Sequence, residues 1–204
     1  MEQFESFIGV NFWTALFTLL NFLALFFVAK HFLIGPVMKL IQARQREIDD
    51  MYADADAANA KAEATGKPAT AIELPDGTIV TGKTSRLLGA ASAALLNALK
   101  TLAGIDDKVD LISPEILEPI TNLKVGLLGS KNPRLHPDEL LIALSICAVH
   151  DPVAAKATSQ LSRLNHCEMH SSVILSPSDE HTLKKLGVNL TSNPIYETKK
   201  LYHG

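Results

Sequence analysis

The feature that most constrains this chain is a long uncharged segment near its start. No Asp, Glu, Lys or Arg occurs from Ser6 to Ala29, which is 24 residues. A helix rises about 1.5 Å per residue, so the segment reaches roughly 36 Å and can cross a hydrocarbon core of about 30 Å. Acidic residues precede the segment and basic residues follow it, namely Glu2, Glu5, Lys30, Lys39, Arg44 and Arg46. The positive-inside tendency therefore predicts one membrane span at about 6–29, with the C-terminal part in the cytoplasm.

A signal peptide and a buried core helix are the two competing interpretations of this segment. A secretory signal peptide has a basic start, a shorter apolar stretch and a cleavage site made of small residues. This chain starts with acidic residues, and its apolar stretch is long. A core helix rarely carries so long an uncharged run. We therefore expect a retained single-pass membrane anchor.

The composition differs between the two ends of the chain. Hydrophobic residues make up 47% and charged residues 20% of the 204 residues, values that exclude a disordered chain and a polytopic transporter. All eight Phe lie between Phe4 and Phe32. A net charge of −3 offers no basic surface, so no nucleic-acid partner is expected. Two cysteines, Cys147 and Cys167, are too few for a disulfide framework.

A second helix is expected after the apolar segment. Gly35 and Pro36 should break or bend the chain at the membrane surface. Residues 37–64 contain no Gly or Pro, and their seam positions follow steps of four and three, namely Val37, Ile41, Arg44, Ile48, Met51, Ala55, Ala58 and Ala62. This spacing predicts a heptad seam with Arg44 as the misfit, although a solvated amphipathic helix has the same pattern.

Several features of residues 1–64 occur together. Lys-His-Phe-Leu-Ile-Gly-Pro at 30–36 follows the span, then comes Gln-Ala-Arg-Gln-Arg-Glu-Ile at 42–48, and then a helix rich in Ala, Asp, Glu and Lys. This combination resembles the b subunit of bacterial F-type ATP synthase, in which a Pro follows the span and an Arg-Gln-x-Glu-Ile stretch follows the Pro. Pro36 and Arg44 occupy those positions here.

The resemblance implies a mechanical role for the first part of the chain. A b subunit anchors the peripheral stalk, or stator, of a proton-transporting ATP synthase in the bacterial inner membrane. The implied partners are the membrane, the membrane-sector subunits and a second stalk helix. Pro36 and Arg44 would then belong to the anchor and stalk.

Beyond Thr65 the sequence predicts a mixed α/β domain with a small sheet. Gly66 and Pro68 end the helical pattern. Residues 69–74 and 78–81 predict a β-hairpin, 86–103 a helix capped by Ser85, and 109–112 and 172–175 two more strands. The expected domains are therefore 1–64, a transmembrane anchor with a stalk helix, and 65–204, an α/β domain.

Three stretches of this second part carry a further resemblance. They are Glu-Leu-Pro-Asp-Gly-Thr-Ile-Val-Thr-Gly-Lys-Thr-Ser at 73–85, Gly-Ser-Lys-Asn-Pro-Arg-Leu-His at 129–136 and Thr-Lys-Lys-Leu-Tyr-His at 198–203. They are similar to the C-terminal portion of a conserved bacterial family of unknown function, whose members are much longer. The resemblance implies no established activity for residues 65–204.

One phosphate-binding pattern occurs in the second part. Residues 77–84 fit G-x-x-x-x-G-K-[ST], the P-loop pattern. The four β-branched residues between the glycines favour a strand rather than a compact loop, which argues against nucleotide binding there. The simpler hypothesis is a phosphate or nucleotide phosphate held at a helix start by Gly82, Lys83, Thr84 and Ser85.

The other chemical candidates are weaker. His166 and His170 would share a face on a helix, and His166, Glu168 and His170 would share one on a strand, so a zinc site is a weak alternative to structural roles. His136 and His150 have no evident partner, and Cys147 is expected in the core. No metal site, cofactor or catalytic constellation is assigned, which leaves an enzymatic activity undecided.

Three hypotheses of function follow from the sequence. The first is a chimera in which a stator-type subunit of ATP synthase is fused to an uncharacterised cytoplasmic domain. The second is a membrane-tethered α/β domain that binds or transforms an unknown substrate. The third is a joining artefact of sequence assembly with no single function.

Overall fold

Two compact units make up the chain, Met1–Asp49 and Asp50–Gly204. The structure is a computed structural model that describes residues 12–197. The division lies earlier than the predicted border at residue 64. The reason is that the last turns of the long helix pack within the second unit, where Ala58 is fully buried.

The first unit is helical throughout its described residues. Helix α1, Phe12–Ala29, is followed by a π-helical turn, Lys30–Ile34, and by α2, Gly35–Thr65, which continues into the second unit. The stretch Phe12–Lys39 is long and apolar enough to cross a membrane by length and composition alone. Core helices and signal sequences reach the same values, so the membrane localisation and the cytoplasmic orientation stay predictions.

Of the break or bend predicted at Gly35 and Pro36, the break is wrong. The N–H of Gly35 donates to the carbonyl of Lys30, five residues earlier, and both Ala29 and Gly35 keep right-handed helical angles. A π turn accommodates an extra residue without ending the helix. Pro36 is the second residue of α2 and follows this turn.

The second unit is built on a four-stranded mixed sheet in the order β2-β1-β3-β4. The strands are β1, Ala69–Glu73; β2, Ile79–Lys83; β3, Glu168–Ser171; and β4, Asn189–Ser192. β1 pairs antiparallel with β2 and β3, whereas β4 pairs parallel with β3. The mixed α/β class and the hairpin predicted after residue 68 are therefore confirmed.

The helices of this unit and their short connecting turns share one apolar core with the sheet. They are α3, Ala90–Ala103; α4, Pro114–Asn122, followed by a π turn, Leu123–Leu127; α5, Pro137–Cys147; α6, Pro152–Thr158, followed by a 3₁₀ turn, Leu161–Leu164; and α7, Pro177–Lys185. The core joins Ile72 of β1 and Met169 of β3 to Leu95 and Leu99 of α3 and to Leu144 of α5, all fully buried. Cys147 packs against it while remaining partly exposed.

Three predicted element positions are wrong. Residues 109–112 form a loop that buries Leu111 and Ile112, and the strand expected at 172–175 lies instead at 168–171. One side of β1 pairs with Glu168–Ser171. Ile174 lies outside the sheet, and its N–H donates to the carbonyl of Ile195 at 2.8 Å. Helix α3 begins at Ala90 rather than at residue 86.

Gly82 lets α3 lie directly against β2. A Cβ at this position would lie 2.0 Å from the backbone nitrogen of Ala94. Because that atom belongs to the helix backbone, no side-chain rotation can make room.

We expect Gly82→Ala to destabilise the second unit by about 3 kcal/mol, the upper end of overpacking costs. Urea unfolding of the full chain in mild detergent measures the change. Gly126→Ala is the matched control, because a Cβ there meets no atom within 4 Å, and its cost should stay below about 0.5 kcal/mol. Equal stability of the two variants would contradict the tight contact.

Candidate functional site

A small pocket lies where the N-terminal ends of α3, α5 and α7 meet, and we call it the helix-end pocket. Its walls also include the loop before α5 and the segment before α7. The lining residues are Pro68, Thr84, 89–92, Asn132, 134–136, 173–176, Asp179 and Glu197. The cavity measures about 40 Å³. One water needs about 10–15 Å³ by such a measure, so the space suits a single small ion or chemical group.

A buried lysine holds the loop that enters the pocket. Lys124, 8% exposed, donates from Nζ to Glu139 Oε2 at 2.7 Å and to the carbonyl of Arg134 at 2.8 Å. Glu139 Oε2 also accepts from the backbone N–H of His136 at 2.8 Å. The Lys124–Glu139 pair therefore fixes the first turn of α5 and the residues immediately before it.

Leu135 fastens the same loop to the start of α3. Its carbonyl accepts from the buried Ser92 hydroxyl at 2.9 Å, and its N–H donates to the carbonyl of Leu87 at 2.8 Å. Leu135 is itself 1% exposed. These bonds keep Asn132, Arg134 and His136 beside the first turn of α3.

A histidine–aspartate pair lies in the pocket wall. His136 Nδ1 lies 2.6 Å from Asp179 Oδ1, and His136 Nε2 lies 3.3 Å from Asn132 Nδ2. Asn132 Oδ1 accepts from the N–H of Arg134 at 3.1 Å, which turns the amide nitrogen towards the ring. The hydrogen bond and the negative charge of Asp179 raise the pKa of His136, against the opposing effect of burial.

A second ion pair closes the pocket. Arg134 Nη1 lies 2.5 Å from Glu197 Oε1, with about a third of the arginine side chain and a fifth of the glutamate exposed. Both cationic side chains of the pocket, Arg134 and His136, thus have a carboxylate beside them.

The start of α3 has no side-chain cap. Its N-cap residue is Gly89, and among the described residues the N–H groups of Ala90, Ala91 and Ser92 have no acceptor. By contrast, the side chains of Asp151 and Ser176 cap α6 and α7. Free N–H groups at a helix start carry partial positive charge and bind anions.

Thr84 lines the same pocket. The residue is 3% exposed, and its hydroxyl has no hydrogen-bond partner among the side chains and backbone that the structure describes. Its backbone is fixed because its N–H donates to the carbonyl of Pro68 at 2.9 Å. A hydroxyl can donate one hydrogen bond, so that of Thr84 is available to a ligand in this pocket.

The residues of the P-loop pattern do not form a phosphate loop. They form the hairpin, in which Gly82 and Lys83 end β2, and no helix follows directly. Gly82 faces α3, Lys83 and Ser85 are exposed, and only Thr84 of the four predicted anion-binding residues lines the helix-end pocket. Whether these four residues contact phosphate as a group stays a prediction.

The two candidate zinc ligands lie in different surroundings. His166 is exposed, has a φ of 66° and precedes β3, so the alternating strand face with His170 does not form. His170 is buried, and its ring nitrogens contact Thr191 Oγ1 at 2.8 Å and Asn193 Oδ1 at 3.1 Å. Among the side chains that the structure describes, which exclude those of residues 33, 40 and 43–51, no three His, Cys, Asp or Glu are grouped to hold a metal ion.

The sequence analysis missed the His136–Asp179 pair and the role of Lys124. His136 had no evident partner because Asp179 lies 43 positions away along the chain. The signal present in the sequence is the stretch at 130–136, in which five of the seven residues are polar or charged.

Comparison with known proteins identifies the second unit. The family described as "Domain of unknown function DUF1846, C-terminal" matches residues 51–202. The chain belongs to the DUF1846 family. This confirms the predicted resemblance of the second part to an uncharacterised bacterial family.

Curated relatives of this DUF1846 chain are close in sequence but longer. "UPF0371 protein str1377" of Streptococcus thermophilus is 54% identical over 146 residues, which are 72% of this chain and 30% of that protein. "UPF0371 protein cu0538" of Corynebacterium urealyticum is 55% identical over 146 residues, 72% of this chain and 29% of that protein. The chain thus spans about 30% of the length of these relatives.

The predicted ATP synthase function is wrong. The matches are to DUF1846 and UPF0371 proteins, and none of them supports a likeness to the b subunit, a peripheral stalk, proton transport or a membrane anchor. Pro36 and Arg44 therefore have no supported stalk role, and the structure places both in α2.

We expect Lys124→Met to lower the free energy of unfolding by about 2 kcal/mol, because it leaves a partly buried carboxylate and a carbonyl without their donor. Urea unfolding measures this, and a cycle with Glu139→Gln should show coupling of at least about 0.5 kcal/mol. Arg86→Met is the control, since its pair with Glu118 is 75% and 48% exposed and should be worth less than about 1 kcal/mol. If Lys124→Met lowered the free energy of unfolding less than Arg86→Met, the stabilising role of the Lys124–Glu139 pair would be refuted.

We expect Asp179→Asn to lower the pKa of His136, because the anionic acceptor is lost. The raised pKa in the folded state adds stability that is full below about pH 6.5 and is lost as the pH rises through that raised pKa. The stability difference between wild type and variant should therefore shrink above about pH 6.5.

Ring-proton NMR titration of His136 and thermal melts from acidic to basic pH measure these two effects. Asp110→Asn, an exposed aspartate, is the control that should leave the His136 titration unchanged. An unaltered titration in Asp179→Asn would mean that the pair does not hold the proton.

Proposed function

We propose that the α/β unit is a binding domain for a small oxyanion of the phosphate type, held in the helix-end pocket. The observation that carries the proposal is that one small cavity is lined by three residues whose N–H groups have no acceptor among the described residues and by Thr84, whose hydroxyl has no partner there. Each of these groups lacks what an oxyanion would supply, namely a hydrogen-bond acceptor.

Helix α3 supplies the positive end of the site. It is 14 residues long, so its peptide dipoles sum to a substantial partial charge at Ala90. A capping side chain would normally neutralise these N–H groups, and Gly89 provides none. An anion at this position would take the place of the missing cap.

Thr84 gives the site a further donor. Its hydroxyl can donate one hydrogen bond and rotate to suit a ligand oxygen. Thr84 directly follows β2 in the chain, and its N–H is bonded to the carbonyl of Pro68. The hydroxyl would therefore need little reorganisation on binding. A pre-positioned donor lowers the entropy cost of binding.

His136 couples the site to protons. In its neutral form, His136 can donate from Nδ1 to Asp179 and accept at Nε2 from Asn132. In its protonated form, Nε2 also carries a hydrogen, so the Asn132 amide donor beside it must give way to an acceptor. An oxyanion in the pocket would provide that acceptor, so binding should be tighter when His136 is charged.

The two carboxylates in the pocket wall determine how tightly the pocket is expected to bind an anion. Asp179 and Glu197 partly neutralise His136 and Arg134, so the pocket is only mildly positive. We therefore expect inorganic phosphate to bind with a dissociation constant near 1 mM, a free energy of about −4 kcal/mol. Any activity that the longer relatives have as whole proteins would be separate from this binding role.

Amide NMR spectra of the full chain titrated with phosphate and with sulfate test the proposal. We expect saturable shifts at Ala90, Ala91 and Ser92, and weaker sulfate binding as the pH rises through the raised pKa of His136. Sulfate is the informative probe for pH because its own charge does not change near neutral pH. Spectra that do not respond at these amides would overturn the proposal.

Thr84→Val isolates the hydroxyl, because valine has nearly the same shape. We expect it to weaken phosphate binding roughly fivefold, the cost of about one hydrogen bond. Thr101→Val is the matched control. Thr101 is exposed at the far end of α3, and its hydroxyl bonds only the carbonyl of Asn97. Equal affinity for phosphate in both variants would remove Thr84 from the site.

A further inference from the structure

We infer that the oxyanion is the phosphate group of a sugar phosphate, whose sugar lies in the groove that adjoins the helix-end pocket. The inference rests on the proposed function. The observations behind the inference are the size of that groove and the side chains that line it, beyond the helix-end pocket that would hold the oxyanion.

The groove continues directly from the helix-end pocket. Pro68, Val173 and Glu197 line both. The pocket measures about 40 Å³ and the groove about 510 Å³. A ligand with a phosphate head and a larger body therefore fits the pair of cavities, whereas free phosphate leaves the groove empty. The three shared residues mark where the bond between the two parts of the ligand would lie.

The groove offers polar groups of every kind that a sugar hydroxyl can use. Asn59, Glu63 and Lys67 line it. Asn59 Oδ1 accepts from Asn193 at 2.7 Å, whereas its amide nitrogen has no partner among the described residues. The Glu63 carboxylate and the Lys67 ammonium likewise have no ion pair with any side chain that the structure describes. A hydroxyl both donates and accepts, so it can bond an amide, a carboxylate and an ammonium together.

Apolar surface lies beside these polar groups. Ile195 and Tyr196 are 56% and 53% exposed and line the groove. Their segment is held in place because Ile174 donates to the carbonyl of Ile195 and Ile195 donates to that of Asn193, both at 2.8 Å. The C–H face of a sugar ring packs against an aromatic ring of this kind. An open groove with charges of both signs favours a hydroxyl-rich body over a flat apolar base, which is better held in an enclosed slot.

NMR titration of the full chain with glucose 6-phosphate, ribose 5-phosphate, inorganic phosphate, glucose and AMP tests the inference. We expect at least one of the two sugar phosphates to bind about tenfold or more tightly than inorganic phosphate, and glucose alone to bind weakly. Amide shifts should extend from Ala90–Ser92 to Asn59 and Tyr196. If phosphate itself fails to bind, the proposed function fails.

Other results overturn the inference while the proposed function stands. One is phosphate binding with no gain from either sugar. The other is AMP binding more tightly than both sugar phosphates, which would assign the groove to a base.

Tyr196→Ala tests the aromatic wall. It should weaken binding of the tighter sugar phosphate at least about fivefold and leave inorganic phosphate unchanged. Tyr52→Ala is the control, because Tyr52 is 60% exposed and lies outside the groove. Glu63→Gln provides a second variant that alters the groove without removing apolar packing. Unchanged sugar phosphate affinity in both Tyr196→Ala and Glu63→Gln would overturn the inference.

Discussion

The close contact between α3 and β2 is the constraint on which the rest of the second unit depends. At Gly82 the strand backbone and the helix backbone meet with no room for a Cβ. This contact fixes the direction of α3, buries Leu95 and Leu99 against the sheet, and brings the start of α3 close to Thr84. This contact therefore brings the free N–H groups and the Thr84 hydroxyl to one cavity.

Burial of charge organises the other wall of the pocket. A lysine as buried as Lys124 is tolerated only when its ammonium is fully engaged, and here it bonds a carboxylate and a carbonyl. These bonds rigidify residues 134–139, which in turn place His136 opposite Asp179. The same interaction that satisfies a buried cation therefore also orients the titratable group of the site. Buried polar networks commonly combine stability and positioning in this way.

Unsatisfied groups are the strongest guide to function in this unit. The starts of α6 and α7 are capped by the side chains of Asp151 and Ser176, whereas α3 begins with glycine and alanines and, like α4, has no side-chain cap. A capped helix end gains stability from its own residues, and an uncapped one leaves that gain to a ligand. The arrangement links the proposed oxyanion site to the folding of α3 as well as to function.

Particular elements show how far the sequence could be interpreted. The hairpin at 69–83 followed from β-branched residues around Pro75-Asp76-Gly77, which are local signals. The strand at 168–171 was placed four residues too late, because apolar Val173, Ile174 and Leu175 outweighed a polar stretch that pairs with β1. The G-x-x-x-x-G-K-[ST] match failed because β-propensity and sheet pairing determine the conformation of those residues. The stalk interpretation failed because helical periodicity and a membrane-length apolar run recur in unrelated proteins.

The sequence by itself determined the apolar character of the first helix, the α/β class of the second unit, its hairpin and its membership of an uncharacterised family. These are properties of local pattern and of residue identity at many positions. Only the tertiary structure decided that Thr84, the start of α3, His136 and Asp179 line one cavity, and that Lys124 holds their loop. The physical reason is that a site assembled from distant segments depends on how helices pack on the sheet, and packing is set by shape and burial across the whole unit.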